Sequence, residues 1–306
     1  DGIRDIGVTG VQTCALPIFQ ASTSEALVNI DDFVEVRGGF AMSKTSDQLV
    51  TLADGESKRV DITTFGFDNL QAFVGAGPYF EDVNNDGVFA DSEINEDAAG
   101  LLLSDGSLAL ALVKPTNTTD GSSYYAVSAE LGRVALPGLT EPGSDSAFQL
   151  NASSFRIEVS GGRDGAGASE AVDFTSLTAG KLTVPTGAGS IDFDYTTALQ
   201  RVAIESGTLI IEDYIHVAGG FAFEKRPDME GVNLSDGAIS PHNLEAFSFG
   251  AGNVDVFVGS GPYFVDSTGD GEVNAFDTRI SDAIGLAAEN LNFGLMIMKE
   301  KTNSKK

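Results

Sequence analysis

The chain has 306 residues, of which 45 are Asp or Glu and 18 are Lys or Arg, so its formal net charge at pH 7 is −27. Nucleic acids and anionic membrane surfaces are polyanions and would repel such a chain, which argues against both as partners. Abundant glycine, the lack of tryptophan and the lack of a long uncharged apolar span predict a soluble, turn-rich β protein without direct membrane insertion.

Residues 1–18 are interpreted as a translated sequencing adapter and not as natural protein sequence. Residues 8–18 read VTGVQTCALPI, which matches the translation of a common short-read adapter, and DGIRD at residues 1–5 matches the adapter bases before it. The alternative is a signal-like segment, but the stretch has no apolar run of useful length. The only cysteine, Cys14, lies inside it, so disulfides are not expected to stabilise the rest of the chain.

From residue 19 onward the hydrophobic periodicity is that of β-strands. Apolar and polar residues nearly alternate at residues 26–30, 33–42, 59–63, 70–74, 108–113, 124–129, 154–159, 191–195 and 202–205. Turn-forming pairs separate these stretches, namely Asp54-Gly55, Asp105-Gly106, Asp120-Gly121, Pro142-Gly143 and Gly161-Gly162. Helical character is modest and predicts at most one or two turns, within residues 91–103 and 277–288.

Three blocks of sequence occur twice, in the same order. FVEVRGGFAMSK at residues 33–44 matches YIHVAGGFAFEK at 214–225, and FVGAGPYFEDVNNDGVFADSE at 73–93 matches FVGSGPYFVDSTGDGEVNAFD at 257–277. DAAGL at 97–101 then matches DAIGL at 282–286. Matched blocks with small insertions between them indicate a repeat array. We therefore predict one β repeat unit at residues 19–206 and the first half of a second, truncated unit at residues 207–306.

The first copy of the middle block ends in a twelve-residue acidic loop with the spacing of an EF-hand calcium loop. The pattern is D-x-N-x-D-G-x5-E, in which short side chains at alternate positions converge on one cation and the glycine permits a sharp turn. The predicted ligands are Asp82, Asn84, Asp86, the backbone carbonyl of Val88, and Glu93. The alternative is an ordinary Asp-Gly turn on the surface of an acidic protein.

The second copy carries a related loop. Its predicted ligands are Asp266, Thr268, Asp270, the backbone carbonyl of Glu272, Asn274 and Asp277. Thr268 is a neutral ligand and Asp277 reaches less far than Glu, so we expect this loop to bind Ca²⁺ more weakly than the first. Two such loops at corresponding places favour calcium sites over chance turns, and a structural role over a regulatory one.

Catalytic patterns are weak, and the chain is predicted not to be an enzyme. The two histidines fall in different elements, with His216 expected in a strand and His242 in a Pro-His turn. Asp192 and Asp194 have the residue type of glycosidase acids, but alternate carboxylates on a strand more often form its solvated face. A fragment of a carbohydrate-active enzyme is therefore a minor third hypothesis.

GGFAFEK at 219–225, FVGSGPYF at 257–264 with its acidic loop, and NFGLMIMK at 292–299 resemble the tandem repeats of giant calcium-binding exoproteins and adhesin-like surface proteins of aquatic bacteria. GDGEVNAFD at 269–277 resembles a dockerin loop. The resemblance covers most of residues 24–306. It implies a secreted or cell-surface location and an elongated stalk in which Ca²⁺ rigidifies each unit, with neighbouring units of the same chain as partners.

The expected fold is all-β, a repeat array of mostly antiparallel sheet units, either sandwich-like or solenoid-like, with short EF-hand-like calcium loop insertions. Two non-enzymatic functions stay open. The first is a calcium-stabilised structural module of a stalk, adhesin or matrix filament. The second is a glycan- or protein-binding module, in which the dockerin-like loop docks a protein or a sheet face holds sugar. Exposed aromatic side chains on one face would favour it. Open sheet edges at the end of a unit also predict self-association.

Overall fold

The fold consists almost entirely of strands. The computed structural model describes residues 18–30, 33–85, 93–138, 148–212, 214–225, 229–233, 235, 242–265, 267 and 277–300. The strands are β1 (Ile18–Ile30), β2 (Val34–Leu52), β3 (Ser57–Ala76), β4 (Ala99–Pro115), β5 (Ser123–Ala135), β6 (Phe148–Arg163), β7 (Val172–Asp173), β8 (Leu182–Pro185), β9 (Ser190–Phe193), β10 (Leu199–Ile211), β11 (Ile215–Lys225), β12 (Met229–Val232), β13 (His242–Ser260), β14 (Phe264–Val265), β15 (Thr278–Arg279) and β16 (Ile284–Glu300). A 3-10 turn spans Phe174–Ser176. None of the described residues belongs to a helix that is long and apolar enough to cross a bilayer.

Within the described residues twelve strands join in one antiparallel sheet, so the predicted all-β, mostly antiparallel fold is confirmed. The order is β1-β2-β3-β4-β5-β6-β10-β11-β13, and β7 adds to β2. β12 continues the ladder of β11 along one edge of β13, and β16 pairs with the opposite edge, because Phe247 faces Lys225 on one side and Ile297 on the other. The sheet is continuous across residues 206 and 207, the predicted boundary between units, since both lie within β10.

Two of the predicted turns are wrong, because the turn-forming residues lie inside long strands. Asp105-Gly106 lies within β4, where Asp105 has a left-handed φ of 53° and the pairing with β3 shifts register. Gly161-Gly162 lies within β6. The predicted strands at 59–63 and 70–74 are likewise parts of the single strand β3. A bulge absorbs the irregular residue and lets the ladder continue. Pro142-Gly143 lies outside the described residues.

The main core lies between one face of the sheet and a covering layer, which we define as residues 171–195. Alternate residues of the strands point to this face. The buried residues from the sheet are Val50, Leu52, Val60, Ile62, Ala109, Ala111, Val113, Tyr124 and Ala126, and those from the covering layer are Val172, Phe174, Val184 and Phe193. The covering layer therefore buries β2, β3, β4 and β5 on one side.

Asp68 anchors the covering layer to the sheet. Its Oδ2 accepts hydrogen bonds from the backbone N–H groups of Ala188 at 2.6 Å and Gly189 at 3.0 Å. Next to it the backbone of the layer comes so close to β3 that a Cβ on Gly66 would lie 1.9 Å from the Pro185 carbonyl oxygen. Glycine at position 66 is therefore required for this packing.

The opposite face of the sheet is apolar and partly exposed. Leu112 pairs with Tyr125 across β4 and β5, and Phe223 pairs with Phe249 across β11 and β13. Tyr125 and Phe223 are each 40% exposed, and Phe249 is 37% exposed. The sheet thus presents a face that carries exposed aromatic rings, which is the surface named above as favourable for partner binding.

Candidate metal loops

The first acidic loop leaves the sheet at the end of β3 through an aromatic turn. The rings of Phe73 and Tyr79 stack with their centroids 5.0 Å apart, and Phe80 stands edge-on to Tyr79 at 5.1 Å. Phe73 is fully buried. Gly75 and Gly100 face each other against its ring, and a Cβ on Gly75 would lie 2.6 Å from both Gly100 Cα and Phe73 Cζ. The stack therefore requires glycine where β3 and β4 meet beside it.

Glu35 holds this aromatic turn through its backbone. The side chain lies in β2 and is fully buried. Its Oε2 accepts hydrogen bonds from the backbone N–H groups of Tyr79 and Phe80, the latter at 3.1 Å. Its Oε1 accepts a hydrogen bond from Asn29 Nδ2 at 2.9 Å. A buried carboxylate is tolerated when its oxygens are hydrogen-bonded, so Glu35 ties β1 and β2 to the start of the loop.

Arg37 lies two residues further along β2 and shares the buried side with Glu35. Its Nη2 donates to Gln71 Oε1 at 2.7 Å, and its guanidinium carbon lies 4.8 Å from the centroid of the Phe80 ring. A cation over an aromatic face is attracted by the ring quadrupole. Glu35 and Arg37 therefore form a buried polar support for the aromatic turn.

Glu93 closes the neck of the first loop. Its backbone carbonyl accepts a hydrogen bond from Glu81 N–H at 3.0 Å, and its Oε1 accepts one from Asn84 N–H at 3.2 Å. Glu93 is buried, and Phe80 forms an isolated bridge with Ile94 beside the neck. The first and last parts of the predicted twelve-residue loop therefore lie side by side.

Three of the predicted ligands of the first loop belong to this neck, namely Asp82, Asn84 and Glu93. Asp86 and Val88 lie outside the described residues.

Behind the loop, residues 96–97 form a turn and β4 begins at Ala99, so the described part of 91–103 contains no helical turn. The same holds at 277–288, where residues 281–282 form a turn before β16.

The second acidic loop leaves β13 through an aromatic turn of the same shape. The rings of Phe257 and Tyr263 stack at 4.5 Å, and Phe264 stands edge-on to Tyr263 at 4.9 Å. Gly259 and Gly285 face each other against the first ring, and a Cβ on Gly259 would lie 2.6 Å from Gly285 Cα and 2.5 Å from Phe257 Cζ. Both turns therefore depend on a pair of facing glycines.

Asp277 has the same place at the second neck that Glu93 has at the first. Its Oδ1 accepts a hydrogen bond from Ser267 N–H at 3.0 Å, and the side chain is buried. Phe264 pairs with Arg279 in the β14–β15 ladder beside this neck. The other predicted ligands of this loop lie outside the described residues, and they are Asp266, Thr268, Asp270, Glu272 and Asn274.

His216 stands in β11 where Glu35 stands in β2, since each pairs with the phenylalanine that opens the aromatic turn of its own half. It is 3% exposed, and its ring centroid lies 4.8 Å from that of Phe264. Burial lowers the pKa of His216 to about 4, although the Asp255 carboxylate opposes this shift. The imidazole is therefore neutral at pH 7. Among the described residues its Nε2 has no hydrogen-bond partner.

The cation over the second aromatic turn comes from outside β11. The Arg279 guanidinium carbon lies 5.9 Å from the centroid of Tyr263 and 5.6 Å from that of Phe264. Its Nη1 lies 2.6 Å from Glu289 Oε1, and the Tyr263 hydroxyl donates to the same oxygen. The pKa of Glu289 is lowered, first by the hydrogen bond from Tyr263 and then by Arg279. Half of the Arg279 side chain is exposed.

Four of the predicted ligands lie within the described part of the two necks, namely Asp82, Asn84, Glu93 and Asp277. All predicted ligands offer oxygen atoms, which Ca²⁺ prefers. At each neck the last carboxylate of the loop lies against a backbone N–H near the loop's start. Among the described residues no group of three or more His, Cys, Asp or Glu side chains is placed to hold a metal ion. Seven of the eleven predicted ligands lie outside those residues.

The other candidates, His242 and Asp192, pair with side chains of neighbouring strands or turns. His242 does not lie in a turn but is the first residue of β13, with Nδ1 2.9 Å from Glu300 Oε1. Asp192 accepts hydrogen bonds from Lys181 Nζ and Thr183 Oγ1, both at 2.6 Å, and these bonds lower its pKa. An exposed, ion-paired carboxylate is typical of a solvated strand face.

Comparison with known proteins gives no relative. No protein-family model matches the chain, and searches of curated proteins and of solved structures find no match.

Proposed function

We propose that the chain is a non-enzymatic structural module, in which bound Ca²⁺ stiffens a repeated β unit of a large secreted or cell-surface protein. The observation that supports this proposal most is that two strand ends with the same aromatic stack and the same facing glycines each lead into an acidic loop. Each loop carries oxygen ligands at calcium-loop spacing. A stalk, an adhesin or a matrix filament are the roles that such a module serves.

Matching irregularities in the ladders support the repeat. The β1–β2 ladder shifts register between Thr23 and Ala26, and the β10–β11 ladder shifts between Ile204 and Gly207. The two shifts are 181 residues apart, which is the spacing of the first matched sequence block. A bulge is a specific local feature, so its recurrence at this spacing is expected if both halves are copies of one unit.

Calcium has a clear physical task in such a unit. The net charge of −27 makes unshielded acidic loops repel one another and the rest of the chain. A cation held between the start and the end of each loop offsets this repulsion and fixes the neck. Extracellular modules bind Ca²⁺ with dissociation constants of about 10⁻⁴–10⁻³ M, so about 1 mM Ca²⁺ occupies roughly half to nine-tenths of such sites. A concentration about tenfold above the dissociation constant stabilises the fold by about 1.4 kcal/mol per site.

Calorimetry on the full chain tests the proposal. Titration with Ca²⁺ is expected to release or absorb heat at two sites of unequal affinity, and saturating Ca²⁺ is expected to raise the melting temperature by roughly 2–5 °C. Glu93→Gln removes a charged ligand from the first loop and should weaken that site at least about tenfold. Asp277→Asn should act in the same way on the second loop only.

Glu96→Gln is the matched control, because Glu96 is an exposed carboxylate three residues behind Glu93 and its replacement changes the charge equally. It should leave both binding steps intact. A chain that gives no heat with Ca²⁺ and no rise in melting temperature contradicts the proposal. If Glu96→Gln and Glu93→Gln weaken Ca²⁺ binding equally, the effect comes from general electrostatics and not from ligation by Glu93.

A glycan- or protein-binding module is the second candidate, and the exposed aromatic face favours it. Tyr125, Phe223 and Phe249 present rings there that are 37–40% exposed. Large exposed apolar surface on a soluble domain often marks a binding site. Binding through this face would not need the acidic loops, whereas dockerin-like docking would need the second loop. Binding that survives Glu93→Gln and Asp277→Asn would therefore indicate the aromatic face and separate this function from the first proposal.

A further inference from the structure

The strand β16 has one free edge among the described residues. It pairs with β13 on one side only. Its counterpart in the first half is β4, which begins in the matched block DAAGL as β16 begins in DAIGL. β4 pairs with β3 on one side and with β5 on the other. In the first half, therefore, the edge that corresponds to the free edge of β16 is paired with β5.

Exposure differs sharply between these two strands. Ala111 and Val113 of β4 are fully buried, whereas their counterparts Met296 and Met298 of β16 are 48% and 53% exposed. Both pairs face the side of the sheet that the covering layer buries in the first half. The second half thus presents apolar side chains that are positioned for a layer but have none over them within the described residues.

A pair of glycines shows the same difference. Gly66 of β3 lies so close to the covering layer that a Cβ would collide with Pro185. Its counterpart in β13 is Gly250, and a Cβ there would have no heavy atom of the described residues within 4 Å. A glycine whose Cβ position is empty has no local packing reason to be glycine, but a layer seated as on β3 would supply one.

We infer that the free edge of β16 and the bare face beside it receive a β5–β6 hairpin with its covering layer, which completes the second repeat unit. The inference rests on the proposed repeat function. The register follows from β4, in which Leu102 faces Ala135 and Val113 faces Tyr124. The incoming strand would therefore run antiparallel to β16 and place its own copy of Tyr124 opposite Met298.

Strand addition of this kind is physically favourable. An edge strand of 17 residues presents a row of backbone N–H and C=O groups that a further strand pairs. Methionine is flexible and adapts to an incoming apolar layer. One contact of the first half would not recur, since Gly252 stands in β13 where Asp68 anchors the layer in β3. The anchor that Asp68 provides would therefore have no equivalent in the second layer.

Hydrogen exchange on an extended chain tests the inference. The full chain of 306 residues is extended after Lys306 by a second copy of residues 120–198, and exchange of the β16 amides is measured by NMR. The amides of β16 that point away from β13 should exchange at least about a hundredfold more slowly than in the original chain. The amides that point toward β13 report that β16 itself is folded in both proteins.

A control extension carries proline at the copies of Val127 and Ala129, which removes two ladder donors and distorts the strand. It should lose most of the added protection. Unchanged exchange at the free edge in the first extension overturns the inference, and so does protection that disappears on dilution, because it would come from pairing between copies. Measurements with and without Ca²⁺ separate the two proposals. Protection of the β16 edge without any effect of Ca²⁺ supports this inference and contradicts the calcium role. Calcium binding without edge protection supports the calcium role and contradicts this inference.

Discussion

The two aromatic turns of this protein have the same shape but rest on different side chains. In the first, Glu35 is buried beneath the turn and accepts the backbone N–H groups of Tyr79 and Phe80. In the second, the same place holds His216, a neutral ring packed against Phe264. One turn is thus held through hydrogen bonds to its backbone, and the other through contact with its ring.

The cations above the turns differ in the same way. Arg37 is buried and hydrogen-bonded to Gln71 while it contacts Phe80. Arg279 approaches the second turn from β15, is half exposed, and pairs with Glu289 at the surface. A buried cation must keep its partners, whereas an exposed one can exchange them for water.

The comparison distinguishes the residues that the shape of the turn requires from those that can differ between the two turns. The stacked rings and the facing glycines occur in both halves with nearly the same distances. The polar groups beneath them do not recur. The shape of the turn therefore follows from the rings and glycines, and the residue at the position of Glu35 or His216 decides how its stability responds to mutation and to pH.

The largest expected effect is that of Glu35→Ala. It leaves the N–H groups of Tyr79 and Phe80 buried without an acceptor, and the expected cost to local stability is about 3–5 kcal/mol. The amide of Asn95 donates to Tyr79 O at 3.0 Å, and that of Ile280 donates to Tyr263 O at 3.0 Å. Hydrogen exchange should accelerate strongly at Asn95 and stay nearly unchanged at Ile280.

Val36→Ala is the control for this prediction, because Val36 neighbours Glu35 on β2 and is only partly buried. Its expected cost is about 1 kcal/mol. If Val36→Ala accelerates exchange at Asn95 as much as Glu35→Ala does, the carboxylate has no special role. If Glu35→Ala acts equally on Asn95 and Ile280, the two turns do not unfold separately.

Much of the fold followed from local sequence pattern. Alternation placed strands correctly within β2, β5 and β10, because successive side chains of a strand point to opposite faces of the sheet. The prediction of a turn at Asp105-Gly106 was wrong, because a residue with left-handed φ fits a bulge as well as a turn. Only the pairing with the neighbouring strands decides between the two. That information is not local in the sequence.

Glu35 and Arg37 show the same limit at the candidate site. In the stretch VEVR, alternation alone favours valines inside and charges outside, but the buried side carries Glu35 and Arg37. Their partners in β3 and the aromatic turn lie 34 to 45 residues away along the chain. The two copies of the first matched block differ here, with VEVR in one and IHVA in the other. This difference was the available signal, because it marked the positions whose chemistry differs between the two turns. The loop ligands were predicted from spacing alone, and most of them lie outside the described residues.

The next effect in size is a pH dependence confined to the second turn. The pKa of His216 in the folded chain is about 4, below its ordinary value of about 6.5, so between these pH values the unfolded chain binds a proton that the folded chain does not. Stability should therefore fall as the pH drops from 6.5 to 4 and the His216 contribution should level off below 4. The full loss is about 3 kcal/mol.

His216→Phe isolates this contribution, because it keeps an aromatic ring against Phe264 and removes the titration. The difference in unfolding free energy between the original chain and the variant should change across pH 4 to 6.5, while carboxylate titrations common to both proteins cancel. Exchange at Ile280 should follow the change and exchange at Asn95 should not. A difference that stays constant over this range contradicts the buried, neutral state of His216.

The smallest expected effect is that of Arg279→Met. The ion pair with Glu289 lies at the surface, where water replaces a lost partner, and the pair with the buried Asp255 is longer, at 3.8 Å. The expected cost is therefore about 1 kcal/mol and shrinks with added salt. Arg37→Met provides the comparison, since it removes a buried donor from Gln71 and should cost about 1–3 kcal/mol with little salt dependence. Denaturant unfolding at low and high salt measures both. If the two variants lose the same unfolding free energy, or share the same salt dependence, burial does not distinguish the two cations. The contrast between the two turns would then rest on Glu35 and His216 alone.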